Sequence, residues 1–88
     1  MAHVEIYTTQ VCPYCVRAKD LLQRKGVTPI EFRVDLNDTL RDEMLQRANG
    51  RRTVPQIFID GAHVGGCDDL YALESAGKLE GMLNGTKG

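Results

Sequence analysis

The sequence VEIYTTQVCPYCVRAKDLL, residues 4–22, passes from a strand pattern to a helix pattern within a few positions. Residues 3–8 alternate apolar and polar side chains and are rich in β-formers, which predicts a strand. From Pro13 onward the spacing of apolar residues is typical of one helix face. Those apolar residues are Val16, Leu21 and Leu22. Cys12 and Cys15 therefore lie where the loop after a strand enters a helix.

The same patterns predict three more strands and three more helices. The predicted strands are 30–35, 56–60 and 63–65, and the predicted helices are 36–49, 67–76 and 78–83. A strand–helix–strand unit places its two strands parallel through a right-handed crossover. The hairpin signalled by Asp60-Gly61 must then add antiparallel strands. The order predicts an α/β, thioredoxin-like fold, in which a four-stranded mixed sheet has helices on both faces.

The size and composition limit the classes of function. A chain of 88 residues predicts one domain, 1–88, of which about 84–88 form a flexible tail. Its formal charge of −1 argues against nucleic-acid binding. It has no apolar run approaching the ~20 residues that span a bilayer, and its N-terminal residues lack a secretory signal pattern. We therefore expect a cytoplasmic protein with no nucleic-acid or membrane partner.

The cysteines favour redox chemistry over a structural role. Cys12 and Cys15 would close a very small loop, so a disulfide between them would constrain the unfolded chain little. A structural zinc site usually needs four ligands, and no second close pair completes a set here. The remaining candidate ligands are Cys67, His3 and His63. Metal binding stays the alternative, and a redox-active dithiol is the favoured interpretation.

The two cysteines are expected to differ chemically. Pro13 suits the first position of a helix, which makes Cys12 the N-cap. Backbone N–H groups and the helix dipole then favour its thiolate, so its pKa falls below the ~8.5 of free cysteine. Cys15 lies one turn further on, within disulfide reach and less exposed. We therefore assign Cys12 as the nucleophile and Cys15 as the resolving thiol.

Three motifs resemble those of the dithiol glutaredoxins, in particular small bacterial-type members. The motifs are CPYC (12–15), TVP (53–55) and GGCDDL (65–70). The resemblance implies a glutathione-dependent thiol–disulfide oxidoreductase that reduces protein disulfides and glutathione mixed disulfides. Two glutathione molecules would re-reduce it, with no tightly bound cofactor. It also implies partner proteins that carry disulfides or glutathione, with ribonucleotide reductase as one candidate, and a monomeric state.

The resemblance also implies a glutathione site in two parts. One part is Thr53, Val54 and a cis Pro55, since extended backbone before a proline can pair with the peptide like an added strand. The other part is Gly66 and Cys67 with the carboxylates that follow. There the N–H groups at the start of a helix would bind the γ-glutamyl carboxylate, and Asp68 or Asp69 would meet the ammonium. The ring of Tyr14 would flank the peptide.

One position departs from the family pattern. Many dithiol glutaredoxins carry a lysine three residues before the first cysteine, where this chain has Thr9. Arg51 or Arg52 would replace that cation toward the glycyl carboxylate, with Arg51 preferred. Cys67 is interpreted as a structural or accessory residue, with glutathionylation or dimer formation as the alternative.

Two rival functions remain at the level of the sequence. The first is a thioredoxin-like enzyme that a reductase recycles in place of glutathione. The second is a carrier in which two subunits and two glutathiones bridge an iron–sulfur cluster. The GGCDD segment argues against the first rival, because its groups suit the charged end of glutathione, and Pro13 beside the nucleophile argues against the second.

Overall fold

The computed structural model describes residues 2–84, and its elements follow the predicted order. The strands are β1 Val4–Thr8, β2 Ile30–Arg33, β3 Gln56–Ile59 and β4 Ala62–Gly65. The helices are α1 Pro13–Arg24, α2 Asp38–Arg47, α3 Cys67–Ser75 and α4 Leu79–Leu83. Of the predicted tail, Asn84 is exposed after α4, and residues 85–88 lie outside the described residues.

The four strands form one mixed sheet in the order β2-β1-β3-β4. β1 is parallel to β2 and antiparallel to β3, which is antiparallel to β4. The β3–β4 turn places Asp60 at φ 50° and Gly61 at φ 83°, the left-handed backbone that a two-residue Asp-Gly turn requires. The sheet topology confirms the crossover and the hairpin that the sequence predicts.

Each face of the sheet carries its own apolar core. On one face α1, α3 and α4 pack over alternate residues of β1 and β3 such as Ile6 and Ile57. On the other face α2 covers Tyr7 and Phe58. Because both faces are covered, the predicted thioredoxin-like arrangement of helices is confirmed. Val16 is an exception to the predicted apolar face of α1, because 60% of it is exposed beside the two cysteines.

The second helix, predicted over 36–49 with Asn37 or Asp38 as its N-cap, spans Asp38–Arg47. Asn37 is its N-cap, and the side-chain oxygen of Asn37 accepts a hydrogen bond from the Leu40 N–H at 3.1 Å. Leu36, expected inside this helix, therefore lies before the cap and is 74% exposed. The preceding strand also ends earlier than predicted, at Arg33.

A partly buried arginine fastens α2 to the sheet. The Arg47 guanidinium donates to both carboxylate oxygens of Glu5, at 3.1 and 2.8 Å, and to the Tyr7 hydroxyl at 2.8 Å. It also lies over the Phe58 ring, 4.0 Å from its centroid. The hydrogen bond from Arg47 is the main reason that the pKa of Glu5 is lowered. Within residues 2–84, no helix is long and apolar enough to cross a bilayer.

Candidate active site

Cys12 is the N-cap of α1, as predicted. Its backbone is extended, with φ −149° and ψ 94°, and Pro13 follows at the first helical position. The Cys12 Sγ accepts a hydrogen bond from the backbone N–H of Cys15 at 3.1 Å. A sulfur in this position faces the positive end of the helix dipole, which favours negative charge on it.

The structure shows the two cysteines in the oxidised state, joined by a disulfide. Their Cα atoms are 5.2 Å apart, within the usual range for a disulfide. Cys12 is 9% exposed and Cys15 only 2%. The difference in exposure follows from position: Cys12 lies at the rim of the helix end, whereas Cys15 faces the core one turn later.

A groove of about 330 Å³ lies next to Cys12: Cys12 does not line it, but Val54 does, and the Val54 carbonyl oxygen is 3.8 Å from the Cys12 Sγ. It brings together all nine residues that the sequence proposes for glutathione, although they come from three separate segments. They are Tyr14, Arg51, Thr53, Val54, Pro55, Gly66, Cys67, Asp68 and Asp69. Thr9 and Arg52 do not line this groove.

The loop before β3 forms one wall of the groove. The Val54–Pro55 peptide bond is cis, as the resemblance implies. The carbonyl oxygen of Val54 lies 3.8 Å from the Cys12 Sγ, so this wall adjoins the reactive sulfur. Thr53 is exposed and Val54 is half-buried, and both line the groove.

The start of α3 forms the opposite wall. The Asp69 Oδ2 accepts a hydrogen bond from the Gly66 N–H at 2.8 Å and lies 3.4 Å from the Arg51 Nη1. The Gly66 N–H, followed by Arg51, lowers the pKa of the Asp69 carboxyl. A side chain at Gly65 would clash with this carboxylate, and Gly65 has a φ of 118°. Glycine is therefore required here for the Asp69 carboxylate to reach back over the helix start.

The third cysteine, Cys67, is buried at the first position of α3, with 4% of it exposed. Burial raises the pKa of its thiol, so Cys67 is a poorer nucleophile than a cysteine whose thiolate is stabilised at a helix N-terminus. This supports the structural interpretation of Cys67. Among residues 2–84, no three His, Cys, Asp or Glu side chains are grouped so that they could hold a metal ion.

Sequence reasoning missed two residues next to the groove. Gln56 is fully buried, and its side-chain Nε2 donates to the Thr53 carbonyl oxygen at 2.9 Å. His63, which the sequence places at the start of the predicted strand 63–65, has its Nε2 2.7 Å from the Gln56 Oε1. The sequence contained one signal for Gln56: it is a polar residue at the first position of the otherwise apolar strand QIFI.

Comparison with known proteins identifies the family. The glutaredoxin family model matches residues 4–64, which is more than half of the chain. The chain belongs to the glutaredoxin family. This glutaredoxin is 59% identical to glutaredoxin 3 of Escherichia coli (strain K12) over 83 residues, covering 94% of this chain and 99% of that protein.

Solved structures agree with this assignment. The glutaredoxin of Brucella melitensis is 55% identical with a TM-score of 0.82, covering 97% of this chain and 91% of that one. The buckwheat glutaredoxin–glutathione complex is 33% identical with a TM-score of 0.86, covering 96% and 78%. The chain is thus a glutathione-dependent thiol–disulfide oxidoreductase with a Cys12–Cys15 dithiol, which confirms the predicted fold and activity.

Proposed function

We propose that Cys12 is the nucleophile toward both classes of substrate. Its thiolate attacks the glutathione sulfur of a mixed disulfide, which forms a Cys12–glutathione disulfide and releases the target thiolate. A second glutathione thiolate attacks that sulfur, giving glutathione disulfide and restoring Cys12. The helix-capping position of Cys12 supports this role, because it stabilises the thiolate both as attacking and as leaving group.

Protein disulfides use Cys15 as well. Cys12 attacks one target sulfur, and the other target sulfur leaves as a thiolate. Cys15 then attacks the Cys12 sulfur, which releases the second target thiolate and leaves the Cys12–Cys15 disulfide. Two glutathione molecules reduce that disulfide and become glutathione disulfide. The bonded pair in this structure corresponds to the oxidised enzyme at the end of the first half-reaction.

The groove beside Cys12 is the observation that carries the proposal of a glutathione site. The wall formed by Thr53, Val54 and Pro55 would offer the Val54 N–H and C=O to the cysteinyl residue of glutathione in the manner of an added strand. Because the Val54 carbonyl is 3.8 Å from the Cys12 Sγ, a peptide paired there would bring its own sulfur next to Cys12. This arrangement fits attack on the glutathione sulfur of a mixed disulfide.

The γ-glutamyl head of glutathione fits the α3 end of the groove. It carries an ammonium and a carboxylate on one carbon, and the Arg51–Asp69 pair offers one partner for each charge. The backbone N–H groups of Cys67 and Asp68, in the first turn of α3, would supplement Arg51 at the carboxylate. This placement assigns the ammonium contact to Asp69, because its carboxylate is already held in the groove by the Gly66 N–H.

The same placement alters the expected role of Arg51. Its guanidinium lies at the γ-glutamyl end of the groove, beside Asp69, so it is poorly placed for the glycyl carboxylate. Arg52 is exposed and outside the groove lining, where water and salt screen its charge. We propose that the glycyl end rests beside the exposed ring of Tyr14 and is bound more weakly than in relatives with a lysine at the Thr9 position.

The remaining assignments extend the proposal to the cell. We propose a single-domain monomer, without a tightly bound cofactor, that acts in the cytoplasm on disulfide-containing or glutathionylated proteins. Ribonucleotide reductase is one candidate target. The iron–sulfur alternative would give a coloured dimer that contains iron in stoichiometric amounts, so metal analysis and sedimentation of the purified protein separate the two.

Separate substitutions of Asp68 and Asp69 by asparagine test the proposed γ-glutamyl site. We expect Asp69→Asn to raise the KM for a glutathionylated peptide about tenfold, since a hydrogen bond to a charged group contributes about 1.5–3 kcal/mol. The asparagine oxygen can still accept from the Gly66 N–H, so the helix start is preserved. Asp68→Asn should change this KM about twofold, and Asp42→Asn on α2 should leave it unchanged. Equal effects of Asp68→Asn and Asp69→Asn would contradict the assignment.

A further inference from the structure

A short chain of hydrogen bonds supports the groove wall from behind. The Gln56 Nε2 donates to the carbonyl oxygen of Thr53 at 2.9 Å and to its hydroxyl at 3.2 Å. The Gln56 Oε1 lies 2.7 Å from the His63 Nε2. Gln56 is fully buried, and His63 on β4 is half-buried. These hydrogen bonds therefore link β4, the edge strand of the sheet, to the backbone that lines the groove.

The chemistry of the groups sets the direction of each bond. A carbonyl oxygen only accepts, so the amide NH₂ of Gln56 must face Thr53. The Gln56 oxygen then faces His63, whose Nε2 must carry the hydrogen. The His63 ring is stacked on Phe58, with centroids 4.9 Å apart and planes at 26°, and this contact fixes the ring orientation. Phe58 thus holds the His63 ring in one orientation, and His63 in turn holds the Gln56 amide.

We propose that His63 is a positioning residue for the Thr53–Val54–Pro55 segment and acts through Gln56. The proposal rests on the glutathione site described above, in which Val54 pairs with the ligand backbone. Without the His63 donor, the buried Gln56 oxygen loses its partner, and the amide is no longer held in one rotamer. The Thr53 carbonyl then loses a fixed donor, and the peptide that carries the Val54 N–H is less ordered before glutathione binds.

This role does not depend on the charge of His63. The Nε2–H is present in the neutral form, and protonation adds the second hydrogen at Nδ1, so the bond to Gln56 survives. The charged groups that act on the ring are Arg51, Asp69 and Arg47. Burial, followed by the charge of Arg51, lowers the pKa of His63, which agrees with a neutral ring at pH 7. The positioning effect is therefore expected to persist from pH 6 to pH 8.

Two substitutions at His63 separate hydrogen bonding from packing. His63→Phe keeps a ring on Phe58 and removes the donor, whereas His63→Gln keeps a donor at nearly the Nε2 position. We expect His63→Phe to raise the KM for a glutathionylated peptide about three- to tenfold, the loss that one buried hydrogen bond produces, with kcat changed less than twofold. His63→Gln should restore the KM to within twofold of wild type. A KM that is unchanged in His63→Phe, or not restored in His63→Gln, overturns the proposal.

A double-mutant cycle tests whether Gln56 transmits the effect. Gln56→Met alone should raise the KM, and adding His63→Phe should then raise it less than twofold further, whereas independent effects would multiply. In His63→Phe, the NMR order parameter of the Val54 amide should fall, while those of the β1 amides stay at wild-type values. Multiplying effects or an unchanged Val54 order parameter would refute the role of His63. Failure of the proposed glutathione site would instead appear as wild-type protein that does not saturate with glutathionylated substrate.

Discussion

At the scale of single residues, the active site depends on the different positions of two identical side chains. The Cys12 sulfur caps a helix and accepts the Cys15 N–H, whereas the Cys15 side chain faces the core. A thiolate at Cys12 gains the helix-end interaction, and one at Cys15 would be formed in a less solvated place. Cys12 is therefore expected to attack the substrate disulfide, and Cys15 to resolve the mixed disulfide and release the reduced substrate.

Serine substitutions test this division. We expect Cys12→Ser to abolish reduction of both protein disulfides and glutathionylated peptides, at least a thousandfold below wild type, because no thiolate remains at the helix end. Cys15→Ser should lose reduction of protein disulfides but keep turnover of glutathionylated peptides, since glutathione itself can resolve the intermediate. Mass spectrometry of Cys15→Ser should detect glutathione attached to Cys12. Activity in Cys12→Ser toward either substrate would contradict the assignment.

Some residues of the site are predictable from the sequence and others are not. The capping role of Cys12 depends only on neighbouring residues, so a strand followed by Cys-Pro is enough to predict it. The Arg51–Asp69 pair and the Gln56–His63 contact join residues 18 and 7 positions apart. Such contacts depend on how the elements pack, and a single sequence contains no periodic signal for them.

At the scale of elements, α2 is held to the sheet by apolar packing and by one charged side chain, Arg47. Arg47 binds Glu5 and Tyr7 and covers the Phe58 ring, and all four groups are buried or partly buried. The sequence could predict that α2 covers the sheet, from its apolar residues. It could not predict Arg47 as an anchor, because the guanidinium reaches its partners only in the assembled fold.

Removing this anchor should destabilise the protein. We expect Arg47→Gln to lower the free energy of unfolding by about 2 kcal/mol, since it leaves a partly buried Glu5 carboxylate without its strongest partner and uncovers Phe58. Arg24→Gln provides the control, because the Arg24–Asp20 pair is well exposed and should contribute less than about 0.5 kcal/mol. Urea unfolding of both variants measures the difference. Equal losses would contradict the proposed anchoring role.

The buried position and hydrogen bonds of Tyr7 predict a stability change at alkaline pH. Burial, then the hydrogen bond with Glu43, raises the pKa of Tyr7 to about 12, above the ~10 of an unfolded tyrosine. Its stabilising contribution is present below pH 10 and is lost as the pH rises toward 12, because the unfolded chain loses this proton first. The difference in unfolding free energy between wild type and Tyr7→Phe should therefore shrink between pH 10 and pH 12. A constant difference would show that Tyr7 titrates normally.

At the scale of the whole molecule, the fold is set by repeated local patterns. Alternation in β1 and β2, the short apolar run of β3, the Asp-Gly turn and the strand–helix–strand order are each visible in the sequence, so the topology of the sheet was predictable. The ends of elements were less predictable: β2 ends at Arg33 and α2 at Arg47, each two residues before its predicted end. The shape of the groove depends on three distant segments meeting, and only the family resemblance indicated that they would.

The most direct test of the account is turnover of a glutathionylated peptide in two coupled assays. One assay supplies glutathione and glutathione reductase, and the other supplies thioredoxin reductase without glutathione. We predict saturable turnover in the first assay, none in the second, and loss of all turnover in Cys12→Ser. Turnover supported by thioredoxin reductase alone, or turnover with glutathione that survives in Cys12→Ser, would contradict a glutathione-dependent mechanism initiated by Cys12.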